Sequence, residues 1–153
     1  MAYFINVRVL QEATDAFSIV EKTCWHYANG GTWTEYQGSH ILSMRGSGTS
    51  GMLRFKSPLG ESFCLAMGIH NHKRWCDIIV DLKDDDTAEK IHPDYYVEGG
   101  GIMLWKKLRK ITKTTARGTK LRFKFLNRKG SELSAELTIF KVLNLLSLGM
   151  HKR

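Results

Sequence analysis

The sequence predicts a mainly β fold, a sandwich of two β-sheets with one helical excursion. Short runs of alternating apolar and polar residues recur along the chain, glycine-rich turns separate them, and helical spacing is confined to residues 84–116. The 153 residues include 42% hydrophobic and 25% charged side chains, which is typical of one folded domain. We predict a single domain over residues 1–141 and a C-terminal extension over residues 142–153.

The N-terminal half divides into strand-like runs joined by turn signals. Residues 3–10 place Ile5, Val7 and Val9 on one face, as a half-buried strand requires, whereas residues 13–20 are ambiguous. The Asn-Gly-Gly run at 29–31 predicts a tight turn, because asparagine and glycine tolerate positive φ. Strands are predicted over residues 3–10, 21–27, 52–55 and 62–69, and a strand-pair element over residues 33–42.

The C-terminal half combines two helical patterns with two further strands. An acidic run at 84–86 precedes residues 87–91 and indicates the start of a short helix. Residues 104–111 have apolar side chains at helical spacing, with lysines and an arginine on the other side, which predicts a second helix. Residues 119–125 alternate cationic and apolar side chains, residues 131–140 alternate again, and both are predicted as strands.

The formal net charge of +8 is unevenly distributed. Residues 103–153 hold 14 lysines and arginines against 2 acids (+12), whereas residues 1–102 hold 9 against 13 (−4). Residues 106–129 alone hold eleven and no acid. Such segregation indicates either a solubilising face or an anionic partner, whether sulfated glycan, phospholipid or nucleic acid. An alternative function is therefore a polyanion- or membrane-binding protein acting through residues 106–129.

The cysteines and the N-terminal residues indicate the cellular compartment in which the protein is expected. Cys24, Cys64 and Cys76 are an odd number in a chain of this size, which disfavours a disulfide framework. The N-terminal run MAYFINVRVLQ has no basic leader and contains Asn6 and Arg8, so it predicts a strand and not a signal peptide. We expect a reducing, cytoplasmic setting.

His70 and His72, with Cys76 and Asp77 nearby, form the strongest metal-site candidate, because alternate residues of a strand share a face. A zinc site needs three or four ligands, and the other histidines lie in unrelated contexts, so we predict hydrogen-bonded histidines and no metal. Cys76 with His70 is a weaker candidate for a nucleophile and its base, since no oxyanion-forming turn can be assigned. We predict neither an enzyme nor a bound cofactor.

Two further patterns lack the context that their chemistry needs. Residues 46–51 match G-x-G-x-x-G, but residues 52–55 continue as a strand instead of the helix that would hold a pyrophosphate. The acidic run at 84–86 lacks the spacing and the glycine of a calcium-binding loop. We therefore interpret the first as a glycine-rich hairpin end and the second as the start of a helix.

Residues 68–82 (GIHNHKRWCDIIVDL) combine amide, imidazole, cationic and carboxylate side chains with an apolar frame, and residues 25–33 and 44–55 are glycine-rich loops that could meet them. Sugar binding needs planar amides, a hydroxyl, backbone groups and a patch for the ring face. The candidate polar groups are Ser47, Gly48, Asn71 and the turn 28–30, with His70, His72 and Trp75 for the patch. The alternative is that Ser47 and Asn71 only satisfy turn backbone.

Four motifs resemble, in order, those of the fungal fruit-body lectin family: WHYANGGTW at 25–33, GSGTSGMLRF at 46–55, ESF at 61–63 and GIHNHKRWCDI at 68–78. The similarity covers residues 3–96 and resumes over residues 118–140. It implies a β-sandwich like that of sea-anemone actinoporins, with two sheets joined by a helix-loop-helix. It also implies a cytoplasmic homotetramer without disulfides and a defensive role.

The resemblance further implies binding of the disaccharide Galβ1-3GalNAc (the T antigen) without a metal. Glycoconjugates that carry it are the expected partners, with sulfated or GlcNAc-terminated glycans as further candidates. Nucleic acid is not expected, and lipid contact stays open because the fold resembles that of actinoporins. The implied contacts are the Ala28 backbone, the Ser47 hydroxyl, the Gly48 amide and the Asn71 side chain, with His70 alongside.

A second pocket, for terminal N-acetylglucosamine, is implied at Asp77, Ile78 and Val80. This chain has Val80 where the family usually has threonine, so the hydroxyl donor is missing. His72 likewise replaces a residue that is usually aromatic. We expect galactosyl binding to persist and N-acetylglucosamine binding to be weak or altered.

Overall fold

The computed structural model describes residues 2–11, 16–26, 30–96, 109–127 and 130–141, with only the backbone of His26. These residues form ten strands, a single-turn α-helix and a 3-10 helix. The strands are β1 Tyr3–Gln11, β2 Ser18–His26, β3 Gly31–Tyr36, β4 Ser39–Met44, β5 Thr49–Lys56, β6 Ser62–His70, β7 Lys73–Ile79, β8 Lys110–Thr114, β9 Thr119–Phe125 and β10 Glu132–Lys141. The helices are α1 Ala88–Ile91 and the 3-10 helix His92–Tyr96.

The strands form two sheets that pack face to face. One has six strands in the order β3-β4-β1-β10-β9-β8, and the other has four in the order β2-β5-β6-β7. Neighbouring strands are antiparallel except β1 and β10, which run parallel with Ile5 opposite Leu133. Alternate residues of both sheets, such as Ile5, Leu137, Phe55 and Leu65, meet in one buried core. The predicted β-sandwich is confirmed.

The helical segment covers the outer face of the four-stranded sheet. Its apolar contacts form a second cluster made of Met52, Cys64, Ala66, Trp75, Ala88 and Tyr95. The carboxylate of Glu21 accepts from the amides of Ala88 and Glu89 at 2.7 and 3.0 Å and pairs with Arg54 at 2.7 Å. Burial alone would raise the pKa of Glu21, but the Arg54 guanidinium and the two amides lower it below its usual 4.5. Glu21 therefore anchors α1 to β2 as a carboxylate.

Most predicted strands are confirmed, and the alternation of β9 and β10 buries the predicted faces. The strand-pair element predicted over 33–42 is a hairpin, in which β3 and β4 are joined by Gln37 and Gly38 at φ 49° and 81°. The predicted helix over 104–111 is wrong at its end. Lys110 and Ile111 lie in β8 opposite Lys124 and Phe123.

Parts of the sequence prediction fall on residues that the structure does not describe. Residues 104–108 of the predicted second helix and the predicted extension 142–153 lie outside the described ranges. Within those ranges, no helix has the length and apolar character needed to cross a bilayer.

Candidate functional site

Two connections meet at one end of the sandwich: the β6–β7 hairpin turn, and the loop from β4 of the six-stranded sheet to β5 of the four-stranded sheet. The hairpin end predicted at residues 46–51 is therefore wrong, because β4 and β5 do not pair. Ser47 lies between β4 and β5, and Asn71 and His72 form the two-residue turn between β6 and β7. Asn71 and His72 have φ of 50° and 63°, as a type I′ hairpin turn requires, and asparagine adopts that conformation more readily than most residues. The His72 amide donates to the Ser47 hydroxyl oxygen at 2.9 Å, which joins the two connections. Sequence positions 25 residues apart are thus held together.

Gly48 is tied to the same structure through its backbone. Its N–H donates to the Ile69 carbonyl at 2.7 Å, and its φ of 94° favours glycine. The predicted use of the Gly48 amide by a sugar conflicts with this bond, because the N–H already has an acceptor within the protein. Gly48 therefore shapes the loop that presents Ser47.

The two histidines of this region occupy different structural positions. His70 is the half-buried last residue of β6, whereas His72 lies in the turn and its Nδ1 is 3.0 Å from the Tyr3 hydroxyl. The expectation that they share a strand face is wrong, because the chain reverses between them. No group of three or more His, Cys, Asp or Glu is placed to hold a metal ion in the described ranges.

The glycine-rich segment predicted at residues 25–33 also approaches this end of the sandwich, through the residues that follow Ala28. Ala28 lies outside the described residues, but Gly30 follows it closely and its carbonyl accepts from the Arg45 amide at 3.5 Å. A cavity of about 490 Å³ lies here, lined among others by Gly30, Met44 and Arg45. The connection that precedes β3 therefore approaches the loop that carries Ser47.

The arrangement offers polar groups to a ligand. The Asn71 side chain is exposed and can both donate and accept, and the Ser47 hydroxyl keeps its own hydrogen after accepting from His72. Trp75, by contrast, is fully buried beneath the Tyr95 ring, 5.3 Å between centroids, so the expectation that it contacts a sugar is wrong. The imidazoles of His70 and His72 are the ring groups closest in sequence to Asn71.

The residues of the second predicted pocket do not converge. Asp77 faces the helical segment and accepts from the Tyr95 hydroxyl at 2.6 Å. Ile78 is 1% exposed in the core on the opposite face, and Val80 packs against the same core. Asp77 and Ile78 point to opposite faces because neighbouring residues of a strand alternate, so the side chain of Ile78 does not meet that of Asp77. The second pocket stays a prediction.

Comparison with known proteins shows the family of the chain. A sequence model of the fungal fruit body lectin family matches residues 1–137. The chain belongs to the fungal fruit body lectin family. The Boletus edulis lectin is 46% identical over 140 residues, which cover 90% of this chain and 98% of that protein. The crystal structure of the wild-type Xerocomus chrysenteron lectin superposes with a TM-score of 0.87 at 47% identity, covering 91% of this chain and 99% of the other.

A crystal structure of a substituted form of the same Xerocomus lectin gives the same TM-score at 48% identity, covering 91% of this chain and 98% of that one. The protein is thus a carbohydrate-binding lectin, and lectins of this family are not enzymes. The buried position of the Cys76 thiol agrees with a non-catalytic protein. Burial raises the pKa of Cys76 to about 12, and the thiol lies in the core of the lectin, where it is not a nucleophile.

The lectin also has a buried polar network that the sequence did not indicate. His92 is 1% exposed, its Nδ1 lies 2.8 Å from the Thr23 hydroxyl, and its Nε2 lies 2.7 Å from the Ser50 hydroxyl. The Tyr96 hydroxyl lies 2.6 Å from Ser50 as well. Burial lowers the pKa of His92 to about 4, so the imidazole is neutral at pH 7. This network fastens the 3-10 helix to β2 and β5.

Proposed function

We propose that this lectin binds glycans that carry Galβ1-3GalNAc through Ser47, Asn71 and the backbone near Ala28. The observation that carries the proposal is the hydrogen bond from the His72 amide to the Ser47 hydroxyl, at 2.9 Å. Because of it, the loop of Ser47 and the turn of Asn71, two residues whose side chains suit sugar binding, are held together by a hydrogen bond. Such a site loses little conformational entropy on binding.

The chemistry of these groups fits a disaccharide. An amide side chain can bridge two neighbouring hydroxyls of one ring, and a serine hydroxyl can donate to a third oxygen. Each such bond contributes about 1 kcal/mol, so a single site binds weakly. The family resemblance supports a homotetramer, in which several sites would engage one cell surface with much greater avidity.

We further infer that binding of terminal N-acetylglucosamine is weak. Asp77 already accepts the Tyr95 hydroxyl, and Val80 has no hydroxyl to donate. Ile78 is buried in the core, so its side chain has no path to a ligand. The second pocket that the resemblance implies therefore keeps the Asp77 carboxylate but lacks a hydroxyl donor at position 80.

The test is a binding titration with the free disaccharide and a glycan array, using Asn71→Gly. Glycine keeps the positive φ of the turn at no steric cost and removes only the amide side chain. We expect affinity for Galβ1-3GalNAc to fall at least about tenfold, which corresponds to about 1.4 kcal/mol. On the array, the wild type should give a weaker signal for terminal N-acetylglucosamine than for the disaccharide.

The matched control is Gln37→Gly, which makes the same kind of change at φ 49° in the exposed β3–β4 turn. It should bind as the wild type does. Disaccharide affinity within twofold of wild type in a folded Asn71→Gly protein would refute the site. Equal array signals for N-acetylglucosamine and the disaccharide would refute the inference about the second pocket.

A further inference from the structure

The outer face of the six-stranded sheet carries a group of cations that sugar binding around Ser47 and Asn71 does not use. We call the five residues Arg8, Lys110, Lys120, Arg122 and Lys124 the basic face. The alternation of β9 buries Leu121, Phe123 and Phe125 between the sheets, so its lysines and arginine point outward. Lys110 lies directly opposite Lys124, and Glu136 of β10 lies between Lys124 and Arg8. The basic face with Glu136 therefore carries a charge of five minus one, or +4.

This arrangement is unfavourable for the sheet by itself. Like charges directly opposite each other on antiparallel strands repel, and Lys110 and Lys124 form such a pair. None of the five cations makes an ion pair within 4 Å to any residue that the structure describes. The neighbouring outward positions hold Thr112, Thr114 and Thr138, so neutral β-forming residues suit this surface. The cations are thus not required by the fold.

The geometry matches a linear polyanion better than a single anion. Outward residues on one strand are about 7 Å apart, and neighbouring strands are about 5 Å apart, so the cations of β8 and β9 form a strip. The Arg122 guanidinium lies 5.4 Å above the centre of the Phe140 ring, which restrains it. A restrained guanidinium can grip a sulfate through two parallel hydrogen bonds.

The neighbours of the cations favour a glycan over other polyanions. Single-stranded nucleic acid needs exposed aromatic rings for base stacking, and Phe140, beside Lys120, is half-buried under Arg122. Membrane surfaces are held by aromatic or apolar anchors. Phe4 and Leu10 are 38% and 39% exposed beside Arg8 on β1, but the outward neighbours of the cations on β8 are Thr112 and Thr114. Threonine hydroxyls can hydrogen-bond to a polyhydroxylated chain.

We propose that the basic face is a second glycan-binding surface, which takes a linear sulfated polysaccharide of the glycosaminoglycan class. It lies on strands β1, β8 and β9, whereas the proposed disaccharide site lies around Ser47 of the β4–β5 loop and Asn71 of the β6–β7 turn. The two surfaces therefore bind different ligands. Sulfate recognition here depends on salt, because a polyanion releases its counterions when cations replace them.

The experiment measures binding of the full chain to fluorescein-labelled heparin oligosaccharide by anisotropy over a range of NaCl concentrations. The test variant is Lys110→Thr with Arg122→Thr and Lys124→Thr, since threonine already occupies equivalent positions of this sheet. We expect affinity at about 150 mM salt to fall at least about tenfold and the salt dependence to become shallower. N-desulfated, O-desulfated heparin should not bind to the wild type.

Two controls separate this surface from net charge and from the disaccharide site. Replacing Lys56, Lys83 and Lys90 with threonine removes three exposed charges outside the basic face, and binding should stay within about twofold because little depends on charges beyond a Debye length. Asn71→Gly should bind heparin as the wild type does, whatever its effect on the disaccharide.

Three outcomes would overturn the proposal. The first is equal loss in both triple variants, which would leave only a net-charge effect. The second is loss in Asn71→Gly, which would place the sulfated chain in the disaccharide site. The third is equal or tighter binding of single-stranded DNA or phosphatidylserine vesicles under the same conditions, which would assign the face to another class of polyanion. Unchanged disaccharide binding and circular dichroism in the basic-face variant show that any loss is not due to unfolding.

Discussion

The buried imidazole of His92 makes the stability of this lectin depend on pH already above the range where carboxylates titrate. Burial lowers the pKa of His92 from 6.5 to about 4. The folded state therefore binds this proton less tightly than the unfolded state does. The stability that the neutral His92 imidazole contributes is fully present well above pH 6.5 and is lost as the pH falls towards 4. This shift of about 2.5 pKa units lowers the free energy of unfolding, relative to neutral pH, by about 3 kcal/mol at pH 4 and by about 2 kcal/mol at pH 5.

His92→Gln removes the titration while keeping a neutral polar side chain. The variant loses the hydrogen bond to Thr23 or to Ser50, so we expect it to be less stable than the wild type by about 1 kcal/mol at pH 7. Its stability should fall less steeply between pH 6.5 and 5, and the two curves should cross. Urea unfolding followed by tryptophan fluorescence at half-unit pH steps would give both curves.

Between pH 6.5 and 5 the change in stability reports the titration of histidine and not that of the Glu21 carboxylate. The lowered pKa of Glu21 means that its contribution is lost only below its usual 4.5. Burial, followed by the charge of Lys22, also lowers the pKa of His40, so His40→Gln is the necessary second variant. Parallel stability curves for the wild type and His92→Gln over this window would refute the reasoning.

Two further outcomes are expected. A methyl group at Gly68 would lie 2.6 Å from both the Thr49 carbonyl oxygen and the Ser50 Cβ, so Gly68→Ala should lower the free energy of unfolding by about 3 kcal/mol. Gly46→Ala, where nothing lies within 4 Å, should change it by less than about 1 kcal/mol, and similar urea midpoints for the two would contradict this. Light scattering of the purified protein should give four times the chain mass of 17.5 kDa, about 70 kDa, and a monomer mass would contradict the tetramer.

The sandwich was predictable because its strands carry a period of two. In β9 and β10 every second residue is buried, as the alternation of Leu121, Phe123 and Phe125 indicates. The prediction of the second helix was wrong at residues 110–111, because there a long-range strand pairing competes with the local helical pattern. Lys110 and Ile111 fit a helical spacing, but in the fold they pair with Lys124 and Phe123. Nothing local in the sequence reports that partner.

The candidate site was predictable in composition and not in its internal bonds. The sequence indicated Ser47 and Asn71 as groups suited to a sugar, and the structure brings their loops together. Capture of the Gly48 amide by the Ile69 carbonyl depends on the register between strands, which the sequence does not display. The same holds for His92, whose hydroxyl partners Thr23 and Ser50 precede it by 69 and 42 residues.

The parallel pairing of β1 with β10 has a consequence for synthesis on the ribosome. The first strand finds one neighbour in β4 early, but its other edge waits until residues 132–141 have emerged. Until then a nascent chain displays an unpaired strand edge at the centre of its future six-stranded sheet, where edges invite association with other chains. Contacts that span most of the chain also slow folding, because loop closure must precede them. This lectin therefore completes its larger sheet only after residues 132–141 have emerged, and that edge of β1 needs protection from other chains in the meantime.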